Sequence, residues 1–355
     1  CLDSELCAGI QGIPPSHFHC VTPDPVAPVQ SYRMEDFAAY YRQVRNQLLA
    51  LISKHPQAIQ DENYPEPVSS CDFCRWSQRC DGRRRTDDHL SFVAGLSGIQ
   101  REELERQGVT TLKALAELET PIKFRPSRGS VDTYEKVRHQ AALQLHRRVT
   151  SNVVHEMLPI MTDRGLCRLP APSPGDVFLD LEGAHFARDG GREYLFGFGQ
   201  IDGNGSWSYR SRWACSDAEE RQAFEWFIDE ATRLVAIDPN MYIYHFAPYE
   251  PAAMKRLMGR YATREAALDE LLRGERFVDL YGVVRHALRA SVESYSIKAL
   301  EVFYGFTRAV DLREAGADRH LVECALEAPA LDLITGAVKP IVTGYKDDDC
   351  RPTLA

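Results

Sequence analysis

The chain has 355 residues, of which 44% are hydrophobic, and a formal net charge of −9 at pH 7. This length suits two domains or one large domain with an appendage, and no apolar run reaches the roughly 18 residues of a membrane-spanning helix. The first residues show no basic stretch followed by an apolar run, so we expect a cytoplasmic protein with no membrane partner. An acidic chain is a weak general binder of nucleic acid, so a polynucleotide would require local basic surface or bound metal ions.

Residues 1–70 contain a short apolar stretch, HFHCV, and a segment over 34–55 whose apolar residues recur every three and four positions. That period is typical of an amphipathic helix. The two prolines of NYPEPVSS then end the pattern. We interpret 1–70 as the end of a larger α/β unit.

Three cysteines of the stretch CDFCRWSQRC, Cys71, Cys74 and Cys80, have the spacing C-x2-C-x5-C. The first pair can reach one metal ion from a single turn of chain. A fourth ligand would come from Cys20, from His89 or from a residue outside this sequence. Ten cysteines in so long a chain do not suit a secreted disulfide framework, so reduced thiols or a bound metal are expected.

A basic stretch follows the cysteines. Arg83, Arg84 and Arg85 are consecutive, and Trp76 lies between the second and third cysteines. The arginines are candidates for contacts with a phosphate backbone, and the indole ring is a candidate for stacking on a base. A solvated run of charge is the alternative for the arginines, and a cover for the metal site is the alternative for Trp76.

Helical patterns dominate the next part of the chain. Residues 87–118 predict two or three short helices separated by glycines, with Thr110 or Thr111 as an N-cap, and a further helix is predicted over 132–149. A helix, a glycine-containing turn and a second helix resemble the helix-hairpin-helix modules that grip a nucleic-acid backbone. A small helical bundle without a ligand is the alternative. We expect 71–150 to form one region with the cysteines.

Strand patterns begin near residue 170. VFLDLEG, YLFGFGQI and WSYRSRW predict three strands, and a helix over 216–234, the strand MYIYHF, a helix, the strand RFVDL and a last helix follow. Three strands followed by alternating helices and strands are the element order of the ribonuclease-H-like fold. The sequence therefore predicts an α/β domain over 165–355, with a mixed sheet flanked by helices.

Two acids interrupt the first of these strands. Asp180 and Glu182 are two residues apart in GDVFLDLEG, so both side chains are expected on one face of the strand. Neighbouring carboxylates repel unless a cation lies between them, and hard oxygen ligands suit Mg²⁺ or Mn²⁺. A strand at a sheet edge with solvated acids is the alternative.

Further acids stand where later elements begin or end. Glu250 follows the strand MYIYHF, and Asp279 closes the strand RFVDL. Tyr345 precedes Asp349 by four residues, so the phenol and the carboxylate share one face of a helix.

Together these motifs resemble the DEDD superfamily of ribonuclease-H-like 3′–5′ exonucleases. The resemblance implies that Asp180, Glu182 and Asp349 bind metal ions, that Glu250 is the acid of the second motif, and that Tyr345 orients the attacking water. This motif usually has Asp where the chain has Glu250, so Asp279 is the alternative. Two Mg²⁺ or Mn²⁺ ions are the cofactors that the resemblance implies.

The quoted segments also resemble the YprB-type ribonuclease-H-like domain found at the C-terminus of putative RecB-like nucleases. The cysteine segment and the helical region resemble the middle of the same proteins, in which the cysteines are the last three ligands of a 4Fe–4S cluster. Zinc and free cysteines are the alternatives. Since residues 1–70 lack the Asp…Glu-x-Lys motif of the RecB-like module, we expect this chain to retain only a remnant of that module.

The function expected from the sequence is that of a divalent-metal-dependent phosphodiesterase. A 3′–5′ exonuclease that acts on single-stranded DNA or RNA by a two-metal mechanism is the most specific form of this prediction. A catalytically impaired nucleic-acid-binding or scaffold module with the same fold is the alternative.

Overall fold

The computed structural model describes residues 1–22, 28–54, 64–188, 190–328 and 330–354. The chain divides into two compact units. The first unit consists of Cys1–Gly82 with Glu327–Pro329, and the second consists of Arg83–Leu326 with Ala330–Ala355.

The first unit combines helices with a β-hairpin. Phe18, Tyr32 and Phe37 form an aromatic group with ring centroids 5.3–5.7 Å apart. The predicted amphipathic helix forms, but none of its described residues is buried. The elements of this unit are α1 (Leu2–Gln11), β1 (His17–Val21), β2 (Val29–Arg33), α2 (Met34–Ile52) and the first part of α3 (Ser77–Thr86).

The second unit begins with a helical region that has its own apolar core. Ser97 and Thr111 cap two of its helices, since each side-chain oxygen accepts a hydrogen bond from the backbone N–H three residues later. Leu104, Leu115 and Tyr134 are fully buried in its core. Its elements are α4 (Gly98–Arg106), α5 (Leu112–Ala116), α6 (Val131–Thr150) and the short strand β3 (His155–Met157).

A five-stranded mixed sheet organises the rest of the second unit. The strand order is β6-β5-β4-β7-β8, in which β4 pairs antiparallel with β5 and parallel with β7. The element order predicted from the sequence is therefore confirmed. The strands are β4 (Val177–Ala184), β5 (Arg192–Ile201), β6 (Trp207–Trp213), β7 (Ile243–His245) and β8 (Phe277–Asp279).

Helices cover both faces of this sheet. Alternate residues of β4, beginning at Val177, pack against Phe224, Phe227 and Met254 on one face. On the other face Phe178 packs with Cys350. The helices of the second unit that follow β6 are α7 (Asp217–Ile237), α8 (Tyr249–Tyr261), α9 (Glu265–Arg273), α10 (Leu280–Ala287), α11 (Ile297–Leu300), α12 (Leu312–Glu327) and α13 (Val338–Cys350).

One predicted element differs from the structure. The helix YGVVRHALRA ends at Ala287, and its last three residues form strand β9 (Leu288–Ala290), which pairs antiparallel with β3. Because the partner strand lies more than 130 residues away, the local helical pattern contains no signal for this pairing. In the described parts of the chain, no helix is both long enough and apolar enough to cross a membrane.

Candidate active site

The two acids of β4 lie on the same face of the sheet, as their spacing predicts. Asp180 pairs with Gly197 of β5. A Cβ atom at position 197 would overlap the hydroxyl of Tyr209, so the glycine makes room for this ring beside Asp180. Glu182 is buried.

Burial and neighbouring acids act on the pKa of Asp180 in the same direction. Burial raises the pKa of Asp180 to about 8, against the lowering effect of Lys346. The charges of Asp349 and Glu250 contribute to the increase. Asp349 and Glu250 therefore act on Asp180, and Glu182 shares the cation Lys346 with Asp180 and Asp349; we call Asp180, Glu182, Glu250 and Asp349 the acid cluster.

Lys346 of α13 is the central cation of the acid cluster. Its Nζ lies 2.6 Å from Oδ2 of Asp180, 3.1 Å from Oε1 of Glu182 and 3.9 Å from Oδ2 of Asp349. Burial lowers the pKa of Lys346, but these three carboxylates outweigh burial and hold it well above its usual value. The ammonium group is therefore charged and neutralises part of the cluster.

Helix geometry selects one of the three consecutive aspartates of α13 for this cluster. Successive residues of a helix point about 100° apart, so the three side chains diverge. Asp347 accepts a hydrogen bond from the indole N–H of Trp207 at 2.6 Å, and Asp348 accepts one from the backbone N–H of Val310 at 3.0 Å. Asp349 alone of the three turns toward Lys346.

Three further cations surround the cluster, and the sequence reasoning missed all of them. Arg308 donates to Oδ1 of Asp349 at 2.7 Å, and Lys298 donates to Oδ2 of Asp349 at 3.4 Å. Arg319 lies 3.1 Å from Oε1 of Glu182. Burial raises the pKa of Asp349, but the cations, with Lys346 contributing most, hold it below its usual value.

Tyr345 is buried among these cations. The charged groups of Lys298, Arg308, Arg319 and Lys346 lie 4.9–5.7 Å from the centre of its ring. Arg319 also donates to the phenolic oxygen at 3.5 Å. The structure therefore brings Tyr345 and Asp349 to the same end of α13, beside the two acids of β4.

The two candidates for the remaining acid have different surroundings. Asp279 accepts hydrogen bonds from the backbone N–H groups of Ala247 and Tyr281 at 2.9 and 3.0 Å. It therefore caps α10 and holds the loop between β7 and α8. Glu250, in the first turn of α8, is buried, and its Oε2 has no hydrogen-bond partner among the described residues. His245 lies 3.6 Å from this oxygen.

A second group of buried acids joins strand β5 to helix α7. Glu193 accepts hydrogen bonds from Tyr249 at 2.9 Å and from Arg256. Glu220 accepts from the backbone N–H of Glu193 at 2.6 Å, from Tyr261 at 2.5 Å and from Arg260 at 3.2 Å. We call Glu193 and Glu220 the paired acids.

A β-bulge connects the two groups. The register of β4 against β5 shifts between Glu182 and Gly183. A Cβ atom at position 183 would lie 2.5 Å from the hydroxyl of Tyr249 and 2.6 Å from a carboxylate oxygen of Glu193. Gly183 therefore lets the Tyr249 hydroxyl reach Glu193 across the bulge.

The predicted cysteine site lies in the first unit. Cys71, Cys74 and Cys80 are partly exposed free thiols, and within the described residues they do not gather into a three-thiolate group. The sulfur of Cys71 accepts a hydrogen bond from the backbone N–H of Val68 at 3.4 Å. Binding of a cluster or of zinc by these residues stays a prediction.

The three consecutive arginines do not share one exposed surface. Arg84 is buried, whereas Arg85 pairs with Glu293 at 3.1 Å and Arg83 lies 3.6 Å from Asp87. Because they lie on helix α3, their side chains point in different directions. The side chain of Trp76 is exposed. A nucleic-acid contact by Trp76 or the arginines stays a prediction.

Residues 177–319 match the family model of the RNase H superfamily. The chain contains a ribonuclease-H-like domain. The matched stretch includes Asp180, Glu182 and Glu250, and it ends before Tyr345 and Asp349. The match indicates a nuclease-type phosphodiesterase, and nucleases of this kind generally use divalent metal ions and bind nucleic acid. No curated protein and no solved structure matches the chain.

Proposed function

We propose that the ribonuclease-H-like domain is a divalent-metal-dependent 3′–5′ exonuclease acting on single-stranded DNA or RNA. The observation that carries the proposal is the convergence of Asp180, Glu182 and Asp349 on Lys346, with the charge of Glu250 acting on Asp180. The cluster lies near the carboxyl end of β7, where α8 begins with Glu250. The carboxyl ends of parallel strands are a common place for catalytic groups in α/β folds.

The donor set fits Mg²⁺ or Mn²⁺. All four members of the cluster offer carboxylate oxygens, the ligands that these ions prefer. The buried Oε2 of Glu250 and the buried hydroxyl of Tyr209 have no hydrogen-bond partner among the described residues. A buried carboxylate oxygen without a hydrogen-bond partner is unfavourable unless a cation lies nearby, which supports a metal site here.

Each residue has a proposed role in phosphodiester hydrolysis. Asp180, Glu182 and Asp349 would hold the metal ions, and Glu250 would complete the set in preference to Asp279. When bound, the two ions would activate a water molecule and stabilise the charge on the phosphate and on the departing 3′ oxygen. Tyr345 would orient the attacking water, and Arg319 fixes its hydroxyl from the side of Glu182.

A scaffold function is the second candidate, and one observation favours it. Lys346 already contacts three of the four acids, and Arg308 and Lys298 contact Asp349. A cluster neutralised by the protein's own cations has less need of metal ions. In that case the domain would bind nucleic acid without cleaving it.

The wider resemblance to RecB-like nucleases leads to a proposal for the first unit. We propose that Cys71, Cys74 and Cys80 bind a 4Fe–4S cluster, with zinc as the alternative. The N–H···S hydrogen bond to Cys71 supports a thiolate at this position. Absorbance near 400 nm in protein purified without oxygen distinguishes a cluster from zinc, which elemental analysis detects.

The test of the nuclease function is the variant Asp180→Asn. We expect its Mn²⁺-dependent cleavage of a labelled oligonucleotide to fall about 10³-fold, the upper end of the losses caused by removing one group that stabilises transition-state charge. Asp332→Asn, at an exposed aspartate outside the site, is the matched control and should cleave normally. Undiminished cleavage by Asp180→Asn, or cleavage that persists in EDTA, contradicts the proposal; a wild-type protein that binds but never cleaves supports the scaffold.

A further inference from the structure

Two adjoining cavities of the second unit form one groove between the helical region and the sheet domain. Their volumes are about 710 and 800 Å³. Both are lined by Arg164, Asp279, Gly282 and His286, so the cavities adjoin one another. We call the combined cavity the basic groove, because its lining includes the following cations: Lys136, Arg164, Arg168, Arg273, Arg285 and Arg289.

The charge of the basic groove is opposite to that of the whole chain. Its six Lys and Arg residues face two acids, Glu275 and Asp279, in a chain of net charge −9. One of the two, Asp279, already accepts two backbone hydrogen bonds. A concentration of cations in an acidic protein is the local basic surface that a polyanion would need.

Acids outside the lining neutralise only part of this charge. Arg164 pairs with Asp163 at 3.0 Å, Arg273 with Asp269 at 2.7 Å and Arg289 with Glu156 at 3.4 Å. By contrast, the side chains of Lys136 and Arg168 form no hydrogen bond or ion pair with any described residue. Among the residues that the structure describes, Arg285 donates only to the hydroxyl of Tyr281, at 3.1 Å.

Aromatic rings lie among these cations. Tyr281 and Tyr295 both line the groove. The guanidinium of Arg285 lies 5.6 Å from the ring centre of Tyr281, and the hydroxyl of Tyr295 donates to Gln140 at 3.0 Å, which holds its ring in place. Cations interleaved with aromatic rings are the usual means of binding single strands, because unpaired bases stack on the rings.

One wall of the basic groove lies close in the chain to an acid of the acid cluster. Pro248 lines the groove, and Glu250 follows it by two residues in the first turn of α8. Phe178 of β4 pairs with Tyr244 of the parallel strand β7, so Asp180 lies beside the chain that enters this turn. A polymer in the groove would therefore approach the cluster at the carboxyl ends of the two strands.

We propose that the basic groove binds a single-stranded polynucleotide and guides it to the acid cluster. This inference rests on the proposed nuclease function, since it names the path of that function's substrate. Phosphates would contact Lys136, Arg168 and Arg285, and bases would stack on Tyr281. A duplex is a poorer ligand because its bases are already paired and stacked.

Binding can be separated from cleavage in the Asp180→Asn background. Fluorescence anisotropy of labelled oligothymidylate, in EDTA, measures affinity in that variant and in a form that also carries Lys136→Glu and Arg285→Glu. We expect the added reversals to weaken binding at least about tenfold and to reduce the slope of log affinity against log salt by about 1.4, two contacts at roughly 0.7 each.

The matched control reverses two charges outside the groove. Lys255 and Arg313 are exposed residues of α8 and α12, so Lys255→Glu with Arg313→Glu changes the net charge by the same amount. In the Asp180→Asn background, this control should bind the oligonucleotide as tightly as Asp180→Asn alone. Equal losses in both double variants, no loss in the groove variant, or no binding of the parent to the oligonucleotide would overturn the proposal.

A second measurement distinguishes failure of the groove from failure of the nuclease. With Asp180 intact, the groove variant should hydrolyse bis-p-nitrophenyl phosphate with Mn²⁺ as the wild type does, but cleave the oligonucleotide with a higher KM. A normal KM of the groove variant for the oligonucleotide would refute the proposed role of the groove and leave the nuclease function standing. Absence of metal-dependent hydrolysis of both substrates by wild type, with groove-dependent binding retained, refutes the nuclease function alone.

Discussion

The acid cluster and the paired acids are both buried in the same domain, but their carboxylates are satisfied in different ways. Glu193 and Glu220 accept hydrogen bonds from tyrosines, arginines and a backbone N–H group. Burial raises the pKa of both Asp180 and Glu193, so this shift does not separate the two groups. What separates them is Glu250, which has an oxygen without a partner among the described residues, and an unpaired buried polar atom is typical of a functional site.

The largest effect on stability should come from the paired acids. Glu220→Gln removes a fully buried carboxylate from its ion pair with Arg260, and we expect the free energy of unfolding to fall by about 3–5 kcal/mol. Thermal unfolding of the variant measures this loss. In the control Glu314→Gln, at an exposed acid in the first turn of α12, the free energy of unfolding should change little. An equal loss of stability in both variants would contradict a special stabilising role of the paired acids.

An intermediate effect is expected at the centre of the acid cluster. Lys346→Met removes the cation that Asp180, Glu182 and Asp349 share, so the metal-free protein should lose about 3 kcal/mol. Mn²⁺ should then raise the Tm of this variant more than that of the wild type, because the ion replaces the missing charge. The control is Lys255→Met, at an exposed lysine, and identical Mn²⁺ shifts in all three proteins would argue against a metal site.

The smallest effect has the opposite sign. Glu250→Gln removes a charge that raises the pKa of Asp180, so the metal-free variant should be more stable than the wild type by about 1 kcal/mol. Its cleavage activity should nevertheless fall. Glu265→Gln changes an exposed acid in the first turn of α9 and should affect neither property. A loss of stability in Glu250→Gln would mean that Glu250 stabilises the fold, as the paired acids do.

The sheet and the acids of the cluster could be named from the sequence because their signals are local. Alternation of apolar residues predicts β4 and its neighbours, and the same period of two places Asp180 and Glu182 on one face. A spacing of four likewise places Tyr345 and Asp349 together on α13.

The cations of the site could not be found in this way. Lys346 stands in a run of charged residues that resembles a solvated helix end, yet its ammonium group reaches β4 across 166 positions of sequence. Arg308 and Arg319 reach the cluster from separate segments without any periodic pattern. Contacts of this kind depend on how the elements pack, and a single sequence carries no signal for them.

The bulge at Gly183 couples the two groups of acids. Its backbone lies where any side chain would strike both Tyr249 and Glu193, and Tyr249 directly precedes Glu250. A substitution there would disturb a stabilising ion pair and displace an acid of the candidate site at the same time. A substitution at position 183 would therefore lower stability and activity together, so evolution of such a domain could not gain one at the expense of the other at this position.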